Sequence, residues 1–237
     1  MRYQASEFKL FDRGFDDTML LIPGWATDYR IFAPLDVEFN YLISIKLSPF
    51  DFRDKLLDSL SDNRSDVISI LGWSMGYFLA LDFASEYPDR INNGIIFMVS
   101  ARCRYEKALI EGIKIRLRKN RAGYLYKFYK ECFSEGEKES LYWFKSNLLS
   151  SYINEMNLDV LFKGLDYLSN AQIKTHDLKK VNITFLHGES DKIAPIEEAL
   201  KISKNLPQAK FISIKGAGHI PFLRSNFNRI LHEALVR

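Results

Sequence analysis

The sequence predicts an α/β protein, a mainly parallel sheet covered by helices on both faces, with a helical segment inserted at about residues 104–176. Three observations predict it. Short apolar runs of strand character recur near 7–11, 18–22, 41–46, 66–71, 94–99, 181–186 and 210–214, and helical periodicity fills most of the gaps between them. Strand signals disappear between 104 and 176 while helical ones persist. One strand-to-helix junction carries Gly72-Trp73-Ser74-Met75-Gly76, the pattern of a tight turn that exposes a serine.

Thr18 to Ile22 forms an early apolar strand, and Pro23-Gly24-Trp25-Ala26 follows it. Gly24 lets the backbone approach a site, so the Trp25 amide is a candidate oxyanion donor; taken alone, the segment reads as a plain Pro-Gly turn. Next comes the run from Ile68 to Ala84, apolar before the serine and helical after it. Glycines flanking Ser74 remove side chains that would clash in a strained turn. The helix that follows aims its first amides, that of Met75 above all, at the same spot. Pro88 then ends that helix, because proline disfavours helical geometry at its predecessor.

Within the insert, Leu125, Phe128, Tyr129, Cys132 and Phe133 share one helical face. Ile153, Met156, Val160, Leu161, Leu165 and Leu168 form a second stripe. Such stripes serve packing or line a substrate channel, and a helical lid over Ser74 is the functional reading. Between 102 and 131 ten basic residues stand against three acidic ones, a local excess of seven, while the rest of the chain carries 23 basic and 27 acidic residues. A concentration of this kind steers an acidic partner, with Arg116, Arg118, Lys119 and Arg121 as candidate contacts, or is an ordinary solvated helix face.

The last two strands each lead into a loop rich in chemistry. Val181 to Leu186 is followed by His187-Gly188-Glu189-Ser190-Asp191, and Lys210 to Ile214 by Gly216-Ala217-Gly218-His219-Ile220-Pro221-Phe222. An acid just past a strand's C-terminal end reaches the ligand face of an open sheet. Asp191 is the candidate, with Glu189 as its rival and helix capping as the bland role. His219 is the candidate base, because His176 lies in a polar linker, His232 on the terminal helix and His187 directly after a strand. A serine hydroxyl needs such a base, oriented by an acid, to attack acyl carbon. Trp25, Trp73, Phe128, Tyr129, Cys132 and Phe222 are the candidate substrate contacts, although aromatics beside an elbow also suit core filling.

The order Ser74, Asp191, His219, together with these loops, resembles the α/β-hydrolase superfamily throughout the chain. Within it the chain resembles, over most of its length outside residues 104–176, the carboxylesterases that demethylate pimeloyl-carrier-protein methyl ester in biotin synthesis. Gly24-Trp25 is similar to that family's His-Gly-Trp loop, Gly72 to Gly76 to its Gly-Trp-Ser-Leu-Gly elbow, and His219-Ile220-Pro221-Phe222 to its His-Ala-Pro-Phe segment. Pro23 and Tyr77 depart from the family's histidine and glycine; Lys130, Glu131 and Cys132 depart from its substrate segment. The resemblance implies an α/β-hydrolase fold, a core of residues 1–103 and 177–237 under a lid of 104–176, a small acyl ester as substrate, and an acidic acyl carrier protein docking on the basic lid. Thioesterase, lactonase and carbon-carbon bond hydrolase activity share the same triad; an inert ligand- or carrier-binding module is the alternative of another class.

Composition sets the remaining bounds. A chain of 237 residues, 47% hydrophobic, buries a substantial core as one domain. No apolar segment has the length of a bilayer span and no signal peptide opens the chain, so a cytoplasmic location away from membranes is expected. Cys103 and Cys132 form neither a disulfide framework nor a metal-ligand pattern with the four histidines, so no cofactor and no metal are expected. A net charge of +3 without a recognised motif argues against nucleic acid.

Overall fold

The computed structural model describes residues 7–62, 68–91, 94–173, 178 and 181–236. Seven strands form one sheet in the order β1-β3-β2-β4-β5-β6-β7. They are β1 (Glu7–Phe11), β2 (Thr18–Ile22), β3 (Asn40–Lys46), β4 (Ser69–Trp73), β5 (Ile96–Val99), β6 (Ile183–Gly188) and β7 (Lys210–Ile214). β1 pairs antiparallel with β3, and every other pairing is parallel. All seven expected strands are present. β4 runs to Trp73, two residues beyond the expected end, because it continues in register with β5 up to the Trp73–Val99 pair; positions 66 and 67 of that expectation lie outside the described residues.

Burial follows position in the sheet. β2, β4, β5 and β6 are buried along their whole length, as strands covered on both faces must be. β1 alternates between exposed and half-buried positions at one edge, and β7 is mostly exposed or half-buried at the other. Helices α1 (Phe52–Asp62), α2 (Met75–Glu86), α7 (Ile196–Ser203) and α8 (Phe227–Val236) accompany the sheet. α2 stops one residue before Tyr87-Pro88, as the proline requires.

Between β5 and β6 the chain is helical: α3 (Lys107–Glu131), α4 (Lys138–Phe144), α5 (Ser150–Glu155) and α6 (Leu158–Leu168), with a single π turn at Lys145–Leu149 joining α4 to α5. The two ends of the insert meet in an antiparallel bridge between Arg104 and Gln172; residues 174–177, including His176, lie outside the described set. α3 is two helices at an angle. Asn120 leaves helical geometry at φ −158° and ψ 86°, and its side chain then caps the second segment by accepting from Gly123 N at 2.9 Å. The second expected stripe breaks. Met156 at ψ 94° ends α5, and Asn157 caps α6 by accepting from Val160 N. Val160 therefore turns to solvent at 41% exposure, whereas Leu161, Leu165 and Leu168 are buried.

Candidate active site

The sheet order places the site. From β2 the chain moves to one side for β3, then crosses back past β2 to β4, so strand order reverses between β2 and β4. In an open parallel sheet, a crevice forms at the carboxyl ends of the strands where this happens. The loop after β2, carrying Gly24 and Trp25, and the turn after β4, carrying Ser74, flank it. The loops after β6 and β7 bring Asp191 and His219 to the same edge.

Ser74 sits at φ 52° and ψ −117°, a conformation unfavourable for a residue with a side chain, held by the strand on one side and α2 on the other. Strain of this kind costs about 1–3 kcal/mol and persists only where the surroundings impose it. The close approach needs Gly76, where a Cβ would stand 2.2 Å from the Ile22 carbonyl oxygen. Met75 opens α2, so its amide is among the first-turn N–H groups that have no intrahelical acceptor. The Trp25 amide lies on the facing turn, where Ala26 also takes a positive φ of 61°.

His219 Nε2 lies 3.0 Å from Ser74 Oγ, and His219 Nδ1 lies 2.8 Å from Asp191 Oδ2. The other Asp191 oxygen accepts from the amides of Ile193 and Ala194, each at 2.8 Å. Asp191 thus caps a local turn and faces the imidazole at once. Burial by itself would raise its pKa; the adjoining His219 and the amide bonds outweigh that and hold the carboxyl below the usual carboxylate range. Glu189 instead takes a hydrogen bond from the Ser213 hydroxyl, on the exposed side. His187 is fully buried, donates from Nε2 to the Ala194 carbonyl and lies 3.6 Å from Asp191; burial lowers its pKa.

The backbone of His219 is tied on both sides. Its carbonyl oxygen accepts from Trp73 Nε1 at 2.7 Å and from Ser100 Oγ at 2.8 Å, and its amide donates to the Cys132 carbonyl at 2.7 Å. Buried Glu137 adds a further clamp, with Oε2 accepting from the amides of Gly218 and Ser134, both at 2.8 Å. The start of α4 and the end of α3 are therefore joined to the histidine loop.

A cavity of about 400 Å³ opens on Ser74. Trp25 and Phe128 line it, ring to ring at 5.0 Å, and the Trp25 indole donates to the Leu161 carbonyl in α6 at 2.9 Å. Four other candidate substrate contacts stand elsewhere. Trp73 and Phe222 pack edge to face at 5.3 Å in the core beneath the site, Tyr129 is buried against Phe144 and donates its hydroxyl to Ala26 O, and Cys132 is a fully buried thiol whose carbonyl holds His219. Strand and helix periodicity mark them as inward-facing, and inward here means the core. Arg116 lines the cavity, Arg118 stacks over Phe162 at 4.8 Å, and Lys119 is exposed. Arg121 is committed internally, donating to the carbonyls of Ile153 and Met156.

Sequence reasoning missed Tyr105 and Arg102, which also line the cavity. Tyr77, fully buried, shares hydrogen bonds in both directions with the Arg102 backbone. The Arg102 side chain pairs with Glu198 at 2.8 Å and covers the Tyr105 ring at 4.6 Å. Burial pushes the Tyr105 phenol up to about 12, with Arg102 and a hydrogen bond to Ser74 opposing, so it stays neutral. The one signal in the sequence was Tyr77 itself, a large residue where the resemblance implies glycine. Among the described residues no group of three His, Cys, Asp or Glu side chains gathers to hold a metal ion, and no helix is long and apolar enough to cross a membrane. Both cysteines are free thiols.

No family model matches the chain. The pimeloyl-[acyl-carrier protein] methyl ester esterase of Legionella pneumophila (strain Paris) is 26% identical over 222 residues, covering 86% of this chain and 88% of that protein. A 2-hydroxy-6-oxononadienedioate/2-hydroxy-6-oxononatrienedioate hydrolase of Comamonas testosteroni is 24% identical, covering 83% of this chain and 76% of its own. Among solved structures, an esterase from Exiguobacterium antarcticum superposes with a TM-score of 0.80 at 16% identity, over 98% of this chain and 96% of that one. Likeness that runs over most of the chain, in sequence to an esterase and a hydrolase and in fold to a solved esterase, makes this protein a hydrolase of the α/β-hydrolase fold.

Proposed function

We propose that the protein is a serine carboxylesterase in which Ser74 is the nucleophile, His219 the general base and Asp191 the group that orients it. The observation that carries the reading is the unbroken line from Asp191 Oδ2 through the imidazole to Ser74 Oγ, at 2.8 and 3.0 Å, on a strained elbow. Asp191, kept ionised, holds the proton on Nδ1, which leaves the Nε2 lone pair facing the hydroxyl. As Ser74 Oγ attacks the ester carbonyl, its proton passes to Nε2, and the oxyanion meets the amides of Met75 and Trp25. The alcohol departs with that proton. Water then gives its proton to the same nitrogen, attacks the acyl-enzyme and restores Ser74.

The substrate this reading favours is the methyl ester of a pimeloyl-carrier-protein intermediate. The supporting observation is the set of sequence relatives named for that ester, together with the positive charge of the insert. The insert, residues 104–176, is then the lid, the flanking segments 1–103 and 177–237 are the catalytic core, and Arg116, Arg118 and Lys119 take the acidic carrier. Cleavage of a carbon-carbon bond in a free small molecule is the second reading, favoured by the Comamonas testosteroni relative.

A fluorophosphonate should label the wild-type protein and leave Ser74→Ala unmarked while the fold is kept; a labelled Ser74→Ala protein would sink the assignment. Turnover of a carrier-linked methyl ester should exceed that of its free counterpart at low salt, and loss of that advantage with rising salt is the expected signature of carrier docking.

A further inference from the structure

Several cations around the insert are already occupied. Lys114 is held between Glu111 at 2.6 Å and Asp166 at 2.7 Å, Arg102 by Glu198, and Arg121 by two carbonyls. A second group is left without such partners and gathers at one place. Lys127, Lys192 and Glu131 line both the Ser74 cavity and an adjoining groove of about 410 Å³, so the two spaces share this rim. The groove adds Lys130 and Lys138, opposed by Glu135. Lys130, Lys138 and Lys192 are exposed and pair with no carboxylate among the described residues. Lys127 has only a 3.7 Å contact with Glu131, in which both side chains are well exposed.

Four ammonium groups against two carboxylates raise a positive potential where the cavity opens, and a bound anion would lower the cost of that convergence. Inside the cavity, Leu109, Ile110, Ile113, Leu165 and Leu168 offer an apolar wall. An acyl chain on that wall, with its ester at Ser74, would lead a distal charged group toward the rim.

We propose that the groove bounded by Lys127, Lys130, Lys138 and Lys192 is an anion-binding subsite that selects acyl esters with a carboxylate or phosphate on the far end of the acyl part. The inference rests on the esterase reading and deepens it: it assigns the charged end of the substrate to the α3–α4 junction and the loop after β6, on residues other than the Arg116 to Arg121 stretch.

The test compares p-nitrophenyl esters whose acyl chains have equal length and end in methyl, carboxylate or phosphate. At low salt the anionic chains should show kcat/KM about tenfold above the methyl-ended one, the size of two partly screened charge contacts. The ratio should fall toward one at about 0.5 M salt and in the double variant Lys130→Glu, Lys138→Glu. Whichever anion gains more identifies the source. A ratio of one in the wild-type protein, or a ratio unchanged by both salt and the double variant, overturns the subsite. Binding of octyl phosphate against octanol to the Ser74→Ala protein reads the groove without turnover. A preference for the phosphate with no ester cleaved by the wild type would keep the subsite and sink the esterase reading; no preference would overturn the subsite alone.

Discussion

The indole N–H of Trp73 donates to the carbonyl oxygen of His219 at 2.7 Å, so the residue before the strained serine holds the backbone of the imidazole that faces it. Nucleophile and base are thereby positioned by one side chain as well as by two loops. Trp73→Phe keeps a ring against Phe222 but removes the donor and leaves space. We expect a stability loss of about 2 kcal/mol in urea unfolding. kcat should fall more than KM rises, because the remaining Ser100 hydroxyl restrains the carbonyl from one side only.

Asp191→Asn can still accept from the Ile193 and Ala194 amides, so the local turn should survive. Its amide nitrogen would face Nδ1 and favour the wrong imidazole tautomer. kcat should drop by about 10⁴, with little change in thermal midpoint. A loss below tenfold would show that Asp191 does not orient the base.

Glu137 distinguishes a clamp from a packing role. Glu137→Ala leaves the Gly218 and Ser134 amides without their buried acceptor, at a cost of about 1–3 kcal/mol. Glu137→Gln retains an oxygen for both amides. Activity should fall in the alanine variant and recover in the glutamine variant; equal loss in both would assign the effect to charge.

Tyr77 supports the wall that carries Arg102 and Tyr105. Tyr77→Phe removes the hydroxyl bound to the Arg102 backbone while keeping the ring, and should raise KM severalfold with kcat nearly unchanged. Tyr105→Phe acts next to Ser74 itself and should change kcat. The two variants differ in that split, which steady-state kinetics on one ester measures.

Acid should destabilise the fold. Burial lowers the pKa of His187 below the usual 6.5, and Asp191 is held below the usual 3.8 by His219 and the amides despite its burial. In both cases the unfolded chain binds more protons between the folded and the ordinary value, so stability rises with pH across that window. As pH falls, the His187 contribution begins to be lost below 6.5 and the Asp191 contribution below 3.8. The urea midpoint should therefore decline between about pH 7 and 5, and His187→Gln should flatten that decline. A midpoint independent of pH in both proteins would contradict the account.

Local chemistry determined much of this protein before any tertiary contact. The seven strands and the helix after Ser74 follow from apolar runs and their periods, and Gly76 follows from the need to bring α2 against β2. The order Ser74, Asp191, His219 was legible because each lies just beyond a strand end, and strand ends are set locally. The tertiary structure decided which way the side chains between those points face. Trp73, Tyr129, Cys132 and Phe222 read equally as pocket or core, since periodicity reports burial and not what does the burying; the fold turned all four into the core. Asn157 broke one expected helical stripe, because a capping side chain competes with the helix it begins. The place of Tyr105 beside Ser74, and the meeting of Lys127 and Lys130 on α3 and Lys138 on α4 with Lys192 in the loop after β6, depend on segments far apart in the chain, and no local pattern encodes such a meeting.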